Sequence, residues 1–429
     1  MTGRTVFAGG VLFPVHDPDR DPYRGWFATD AAGTIVEIGA GEAPRGGAAE
    51  TVVDLGGTLV LPGFVSAHSH LWQSVFRGVA DGHGTMAWIE QLHKRFGPAL
   101  EPGDMYAFTR HGQHDLLRHG ITTVCNHTHE FGGGPAEQWQ ATLDAPQRIA
   151  YSFSPPLWLS AAERLSELDK FLHLIAGDRH RVAALSMNTT GPHSVTEMRQ
   201  ESALLAELGI GLHAHYLEDP SVAAGQQDGF DDLVAGGRIG PDTVLAHFIH
   251  TTPHIRDTAA RAGAAMVWNP LSNGRLGSGI ADIPGYRAAG LRIGMGVDGQ
   301  ASADTPDPFQ NMRTGLYLLR AARCDAAILD ARAVLRMHTL DSAAVLGVAG
   351  LTGSLEVGKA ADFVVCDPAT PWADLPAPQL WPFAVLSMSA SDITGVYVGG
   401  RRRGGGPGDR DRDLETDCRA RVSRLYRAA

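Results

Sequence analysis

The sequence predicts an α/β protein built on a closed (β/α)8 TIM barrel, with a small composite β-sandwich formed by both chain ends. Three observations predict it. Between residues 58 and 354, eight short apolar runs alternate with longer amphipathic segments, the signature of a parallel barrel. The two ends instead carry short strands and turns. No Gly-rich phosphate fingerprint follows the first run, which argues against a doubly wound open sheet. The 429 residues suit one large barrel with an appendage.

In chain order, residues 1–57 form the N-terminal part of the sandwich, with strands expected at Thr5–Phe7, Gly33–Ile38 and Thr51–Leu55. The alternation Thr34-Ile35-Val36-Glu37-Ile38 is that of a half-buried strand. The barrel domain, 58–354, takes its strands from Leu59–Ser66, Ile121–Asn126, Ile149–Phe153, Val182–Met187, Ile210–His215, Thr243–His247, Ala265–Asn269 and Leu291–Val297. Helical patterns such as Ser202–Leu208 and His254–Ala262 lie between them. Residues 355–429 return to the sandwich through Ala361–Cys366 and Ile393–Val398. The Arg/Gly/Asp-rich stretch Arg401–Arg412 is expected to be mobile at its start.

Composition narrows the function. Lys+Arg is 36 and Asp+Glu 47, for a net charge of −11; that balance disfavours nucleic acid and anionic membranes as partners. With 44% hydrophobic and 19% charged residues, the chain is too apolar for disorder. Cys125, Cys324, Cys366 and Cys418 are scattered without a CxxC pair, so a cysteine metal site or redox pair is not expected and a reducing cytoplasm is. The N-terminus lacks a signal-peptide pattern, and no stretch is long enough to span a membrane.

Four places carry chemistry, each at the carboxyl end of an expected strand. They are His68-Ser69-His70, then His213-Ala214-His215 with Glu218, then His247, then Asp298. Residues i and i+2 of a strand share a face, so the His68 and His70 imidazoles converge on one point. A barrel gathers its strand ends into one catalytic ring. Three neutral imidazoles and a carboxylate suit zinc or iron(II), with a position open to water. Singly, each piece reads more blandly: an HxH as a surface or core pair, Asp298 as a turn residue, His247 as structural. Their joint placement on strands one, five, six and eight argues for a metal.

Leu61-Pro62-Gly63-Phe64-Val65-Ser66-Ala67-His68-Ser69-His70, Phe76-Arg77-Gly78-Val79-Ala80-Asp81, Gly191-Pro192-His193-Ser194, His215-Tyr216-Leu217-Glu218, Asn269-Pro270-Leu271-Ser272-Asn273 and Gly353–Asp362 span nearly the whole chain. In these segments the sequence resembles the amidohydrolase superfamily, in its deaminase and chlorohydrolase branch. That branch includes cytosine-, guanine- and S-adenosylhomocysteine-type deaminases and triazine hydrolases. The resemblance implies that His68, His70, His215 and Asp298 hold one divalent metal, zinc or alternatively iron(II). It implies that Glu218 shuttles protons, that His247 binds the attacking hydroxide or the oxyanion, and that His193 touches substrate. Asp298 is implied both as ligand and as acceptor of the water's proton. Two-metal relatives use a carboxylated lysine on strand four. The only lysines here are Lys94, Lys170 and Lys359, none on that strand, so a single ion is expected.

For the substrate, Trp72 and Gln73 follow the first ligand pair and could offer a stacking face and a donor–acceptor amide; Trp72 reads equally as core. His127 and His129 follow strand two and are read as substrate contacts, with a second metal patch as the weaker alternative. His250 stands where relatives commonly have an apolar residue, and its role is open. The leading function is metal-dependent hydrolytic deamination of an amino-substituted N-heterocycle, a small-molecule substrate. The alternatives are displacement of halide or alkylamine, or opening of a cyclic amide, by the same attack. A metal-binding protein without turnover is disfavoured by Glu218, which is not needed as a ligand. The resemblance also implies a possible homo-oligomer.

Overall fold

The computed structural model describes residues 3–44, 50–191 and 193–428. The first strands are β1 (Arg4–Leu12), β2 (Tyr23–Thr29), β3 (Ile35–Ala40), β4 (Glu50–Asp54) and β5 (Leu59–Pro62). The barrel strands follow: β6 (Phe64–Ser69), β7 (Ile121–His127), β8 (Arg148–Phe153), β9 (Ala184–Asn188), β10 (Gly211–Tyr216), β11 (Thr243–His247), β12 (Ala265–Trp268) and β13 (Arg292–Met295). The chain ends with β14 (Phe363–Cys366), β15 (Ile393–Val398), β16 (Arg401–Gly404) and a helix at Arg412–Ala428.

Strands β6 to β13 lie in sequence order in one sheet. An isolated parallel bridge between Ser69 and Asp298 joins its two ends. That order, with parallel pairing from β8 through β13 and helices between the strands, is a (β/α)8 barrel. The other sheet has the order β16-β15-β14-β5-β1-β2-β3, with β4 beside β1. It is the sheet of both chain ends, and its core is aromatic. Phe7 and Phe27 stack at 5.0 Å, and Phe363 and Tyr397 at 4.3 Å.

One expected strand divides in two. Leu59–Pro62 pairs antiparallel with β14 in the end sheet, and the barrel begins only at Phe64. The run Leu59–Ser66 is apolar throughout, so nothing in its pattern marks the change; Pro62-Gly63 is the break. A Cβ on Gly63 would stand 2.1 Å from Thr122 Oγ1, so the backbone turns against β7 where only glycine fits. Gly63→Ala should therefore cost about 1–3 kcal/mol by overpacking, read as a lower urea midpoint by circular dichroism. An unchanged midpoint would show that Thr122 gives way freely.

The tail also differs from expectation. Arg401–Gly404 is not mobile but pairs with β15. The following helix carries Leu414, Cys418, Val422 and Leu425 along one apolar face, a spacing that the surrounding arginines obscure. By compactness the chain divides into two units. One comprises residues 1–66, 115–123 and 306–410; the other, 67–114, 124–305 and 411–429, carries the site described next. Among the described residues, no helix is long and apolar enough to cross a membrane.

Candidate metal centre

The strands end in backbone bends that turn side chains toward the barrel axis. Leu217, His247 and Asp298 are non-glycine residues in the left-handed region, with φ of 54°, 70° and 53°. Such residues persist where the surroundings over-determine them, and they cluster at functional sites.

The imidazoles of His68, His70 and His215 and the Asp298 carboxylate come together at these ends. His70 Nε2 lies 3.1 Å from His215 Nε2 and 3.5 Å from Asp298 Oδ1. His68 Nε2 is also 3.5 Å from Asp298 Oδ1. Four ligands about 2.0–2.1 Å from a tetrahedral zinc would stand about 3.3 Å from one another, so the spacing fits one small cation. The protonation pattern fits too. His70 Nδ1 donates to the His127 carbonyl at 3.0 Å, which leaves Nε2 as the lone-pair nitrogen, facing His215 and Asp298. Orientation of a ligating imidazole through its other nitrogen is the usual device at such sites.

Burial, then the neighbouring His68, lowers the His70 pKa to about 4. His215 is held well below its ordinary value, by burial and then by His68, His70 and His247. Burial would raise Asp298, but hydrogen bonding to His68 and the adjacent imidazoles outweigh it and hold the carboxyl well below the usual range. The set is thus three imidazoles and a carboxylate, with at least two of the imidazoles neutral. β9 has no lysine.

His213 stands behind the ring. Its Nε2 is 2.9 Å from His68 Nδ1, and its Nδ1 is 3.7 Å from Cys125 Sγ. His213→Ala should weaken metal binding about 10–100-fold, the usual cost of losing such a partner. His213→Gln, which keeps an acceptor, should lose less. Chelator competition measures both, and parental affinity in the alanine variant would remove His213 from the site.

Glu218 and His247 lie beside the ring. Glu218 Oε1 is 3.6 Å from His247 Nδ1 and 3.4 Å from Thr85 Oγ1. Burial, then the Asp298 charge, raises the Glu218 pKa well above the ordinary value. The carboxyl is therefore poised to hold a proton. Burial lowers His247 to about 3 against the pull of Asp298. Asn273 Nδ2 donates to His247 Nδ1 at 2.8 Å, which leaves the proton on Nε2, 4.0 Å from Asp298 Oδ2. Ser302 Oγ donates to that same Oδ2 at 3.0 Å.

The ring opens into a cavity of 230 Å³. Gln73, His127 and His129 line it, as do Glu218, His247 and Asp298. Gly299 lets Gln73 in: a Cβ there would stand 1.7 Å from Gln73 Oε1. Trp72 is not on the cavity wall. It is fully buried, and its Nε1 donates to His129 Nδ1 at 3.0 Å. The two fused rings are consumed by core packing, so its contribution is to hold His129. His193 lines a neighbouring cavity of 490 Å³ that shares Thr190 and His215 with the first; Pro192 of that motif lies outside the described residues. His250 is tied to the Ser278 carbonyl at 2.7 Å and braces a loop.

Sequence reasoning missed three contributors. Asn273 was visible in Asn269–Asn273 but had no role assigned. Thr85 and His93 had no signal: both lie on a short helix, Thr85–Ile89, that continues as one π-helical turn, Glu90–Lys94.

Comparison with known proteins agrees with this architecture. The profile of the Amidohydrolase family matches residues 59–403. The 5-methylthioadenosine/S-adenosylhomocysteine deaminase of Bacillus cytotoxicus is 28% identical over 386 residues, covering 86% of this chain and 87% of its own. Among solved structures, an adenosine deaminase from Xanthomonas campestris with bound zinc is similar at TM-score 0.83 and 23% identity, covering 99% of this chain and 98% of its own. The zinc complex of atrazine chlorohydrolase from Arthrobacter aurescens is similar at TM-score 0.84 and 22% identity, covering 97% and 100%.

Proposed function

This chain belongs to the amidohydrolase family, and from that premise we propose that it hydrolytically deaminates an amino-substituted N-heterocycle with one zinc ion per chain. The observation that carries the reading is the pairing of a metal-spaced ring with a protonatable carboxyl beside it that is no part of it. When bound, the ion supplies a water acidified to a pKa of about 7, a nucleophile at neutral pH.

The chain's own groups do the rest. Glu218 delivers its proton to the ring nitrogen next to the amino-bearing carbon, which makes that carbon electrophilic. Water oxygen bonds to the carbon while the adjacent C=N becomes a single bond. Asp298 accepts the water's proton. His247 Nε2–H donates to the oxygen as the carbon becomes tetrahedral. The proton held by Asp298 passes to the amino group as Glu218, now a carboxylate, takes the hydroxyl proton, and the C–N bond breaks with both carboxyls restored. Ammonia leaves and a ring carbonyl remains. Gln73 and His129 orient the ring edge.

The test is ammonia release from a panel of aminopyrimidines, aminopurines and aminotriazines by zinc-loaded protein, with the metal counted by elemental analysis. One equivalent of ion and stoichiometric ammonia are expected. Two tightly held equivalents would overturn the single-ion reading. Chloride release from chloro-substituted rings without ammonia from their amino analogues would replace deamination by displacement of another leaving group.

A further inference from the structure

The cavity beside the ring has a wall that the reaction does not use. His93 faces it from the π-helical turn, with Trp88 one helical turn earlier. The ring centroids of Trp88 and His93 are 5.2 Å apart, those of His93 and His129 4.8 Å, and Phe131 stacks on His129 at 5.7 Å. These four rings are held in place. Trp88 Nε1 donates to the Ala301 carbonyl at 2.9 Å, and His129 receives Trp72 Nε1. Burial, then the neighbouring His70, lowers the His93 pKa to about 3, so the ring is neutral. Its Nε2 is 3.4 Å from the Gln73 amide nitrogen. The wall is thus aromatic, with Trp88, His93 and His129 packed edge to face at 62° and 68°, and able to hydrogen-bond at one edge.

Two further facts bound the occupant. At 230 Å³ the cavity falls below the roughly 300–1,000 Å³ of ordinary small-molecule pockets. Its acidic lining is Glu130, Glu218 and Asp298, with no lysine or arginine among the described lining residues. Away from the ion, a carboxylate or phosphate tail would be desolvated with no cationic side chain to pair with.

Building on the deamination reading above, we propose that the site takes a compact, uncharged heterocyclic base, bare of ribose and of any anionic tail. His93 and Trp88 set that limit. The aromatic rings contact the heterocycle, Gln73 and His93 meet its edge, and the small volume of the cavity is what excludes a sugar.

The experiment compares cytosine, adenine, guanine and melamine with cytidine, adenosine, guanosine and S-adenosylhomocysteine on the zinc-loaded protein. Binding is followed by calorimetry and turnover by ammonia release. At least one base should bind at least 10-fold tighter than every nucleoside and than S-adenosylhomocysteine. Where ammonia appears, kcat/KM should favour that base at least 100-fold over its nucleoside. His93→Ala should retain its zinc and lose at least 10-fold of the base-over-nucleoside preference; Trp88→Phe, a milder change, should shift it in the same direction. Equal or tighter binding of any nucleoside or of S-adenosylhomocysteine overturns the proposal, as does a panel in which no base binds or a preference unmoved in both variants. Binding of a base without ammonia release leaves the proposal standing and overturns the deamination reading instead.

Discussion

Replacement of His70 by alanine should give a folded chain that has lost its metal and its turnover together. His70 Nε2 approaches both His215 and Asp298, so its removal takes one corner from the ring and leaves three. The remaining imidazoles, His68 and His215, stay within the barrel end, and the cavity left by the ring can take water; the fold should survive. Activity should fall at least ~10³-fold, because several kcal/mol of charge stabilisation leaves with the ion and each ~1.4 kcal/mol is a factor of ten. His68→Ala should behave alike. Elemental analysis and a turnover assay on the same preparation decide the matter. Full metal occupancy in both variants would show that the ligand set is wrong.

Glu218→Gln should do the opposite to the two readouts: metal retained, turnover lost. Glu218 lies 3.6 Å from His247 and is not among the proposed ligands, and the amide is nearly isosteric. The substitution removes the transferable proton but none of the proposed ligands, so the ring should hold its ion as before. Turnover should fall by ~10²–10⁴-fold, the ordinary contribution of a positioned acid–base group. The loss should lie in kcat more than in KM, because the proton moves only on the way through the transition state. Turnover within a few-fold of the parent, at normal metal content, would assign the carboxyl to loop bracing through Thr85 and leave the chemistry to Asp298 and His247.

Much of this site was legible before any coordinates. Two HxH pairs at strand ends can converge only if the strands close into a ring, and the alternation of apolar runs supplied the ring. Tertiary placement was less legible. Trp72 follows a ligand directly, yet its size sends it into the core behind the cavity. His193 follows β9, yet it lines the neighbouring cavity. His93 sits in an ordinary-looking stretch, and only the local widening of the helix turns its imidazole toward the site. The Leu59–Ser66 run could not reveal its division between two sheets, because both halves are equally apolar and equally buried. The end sheet was visible in alternation such as Thr34–Ile38, whereas the last helix was hidden by its many arginines, two of which turn inward to Asp104.

That last helix, Arg412–Ala428, is held to its own unit at few points. Arg421 and Arg424 both bind the buried carboxylate of Asp104, Arg421 at 3.0 Å. Cys418 and Leu425 enter the same apolar cluster as Trp72, Trp88 and Phe96, and Tyr426 meets Phe96 edge-on at 4.9 Å. A terminal segment with so small an anchorage detaches at a lower free energy than global unfolding. Trp88 of the aromatic wall shares the cluster that the helix enters, so loosening of the helix should reach that wall. Amide hydrogens of Arg412–Ala428 and of the Thr85–Lys94 segment should exchange with one shared opening energy, well below that of β10 and β11. Discrimination between ligands and retention of the ion then belong to two separately melting parts of one chain, and solvent conditions that loosen the helix would broaden what the cavity admits while the ring keeps its metal.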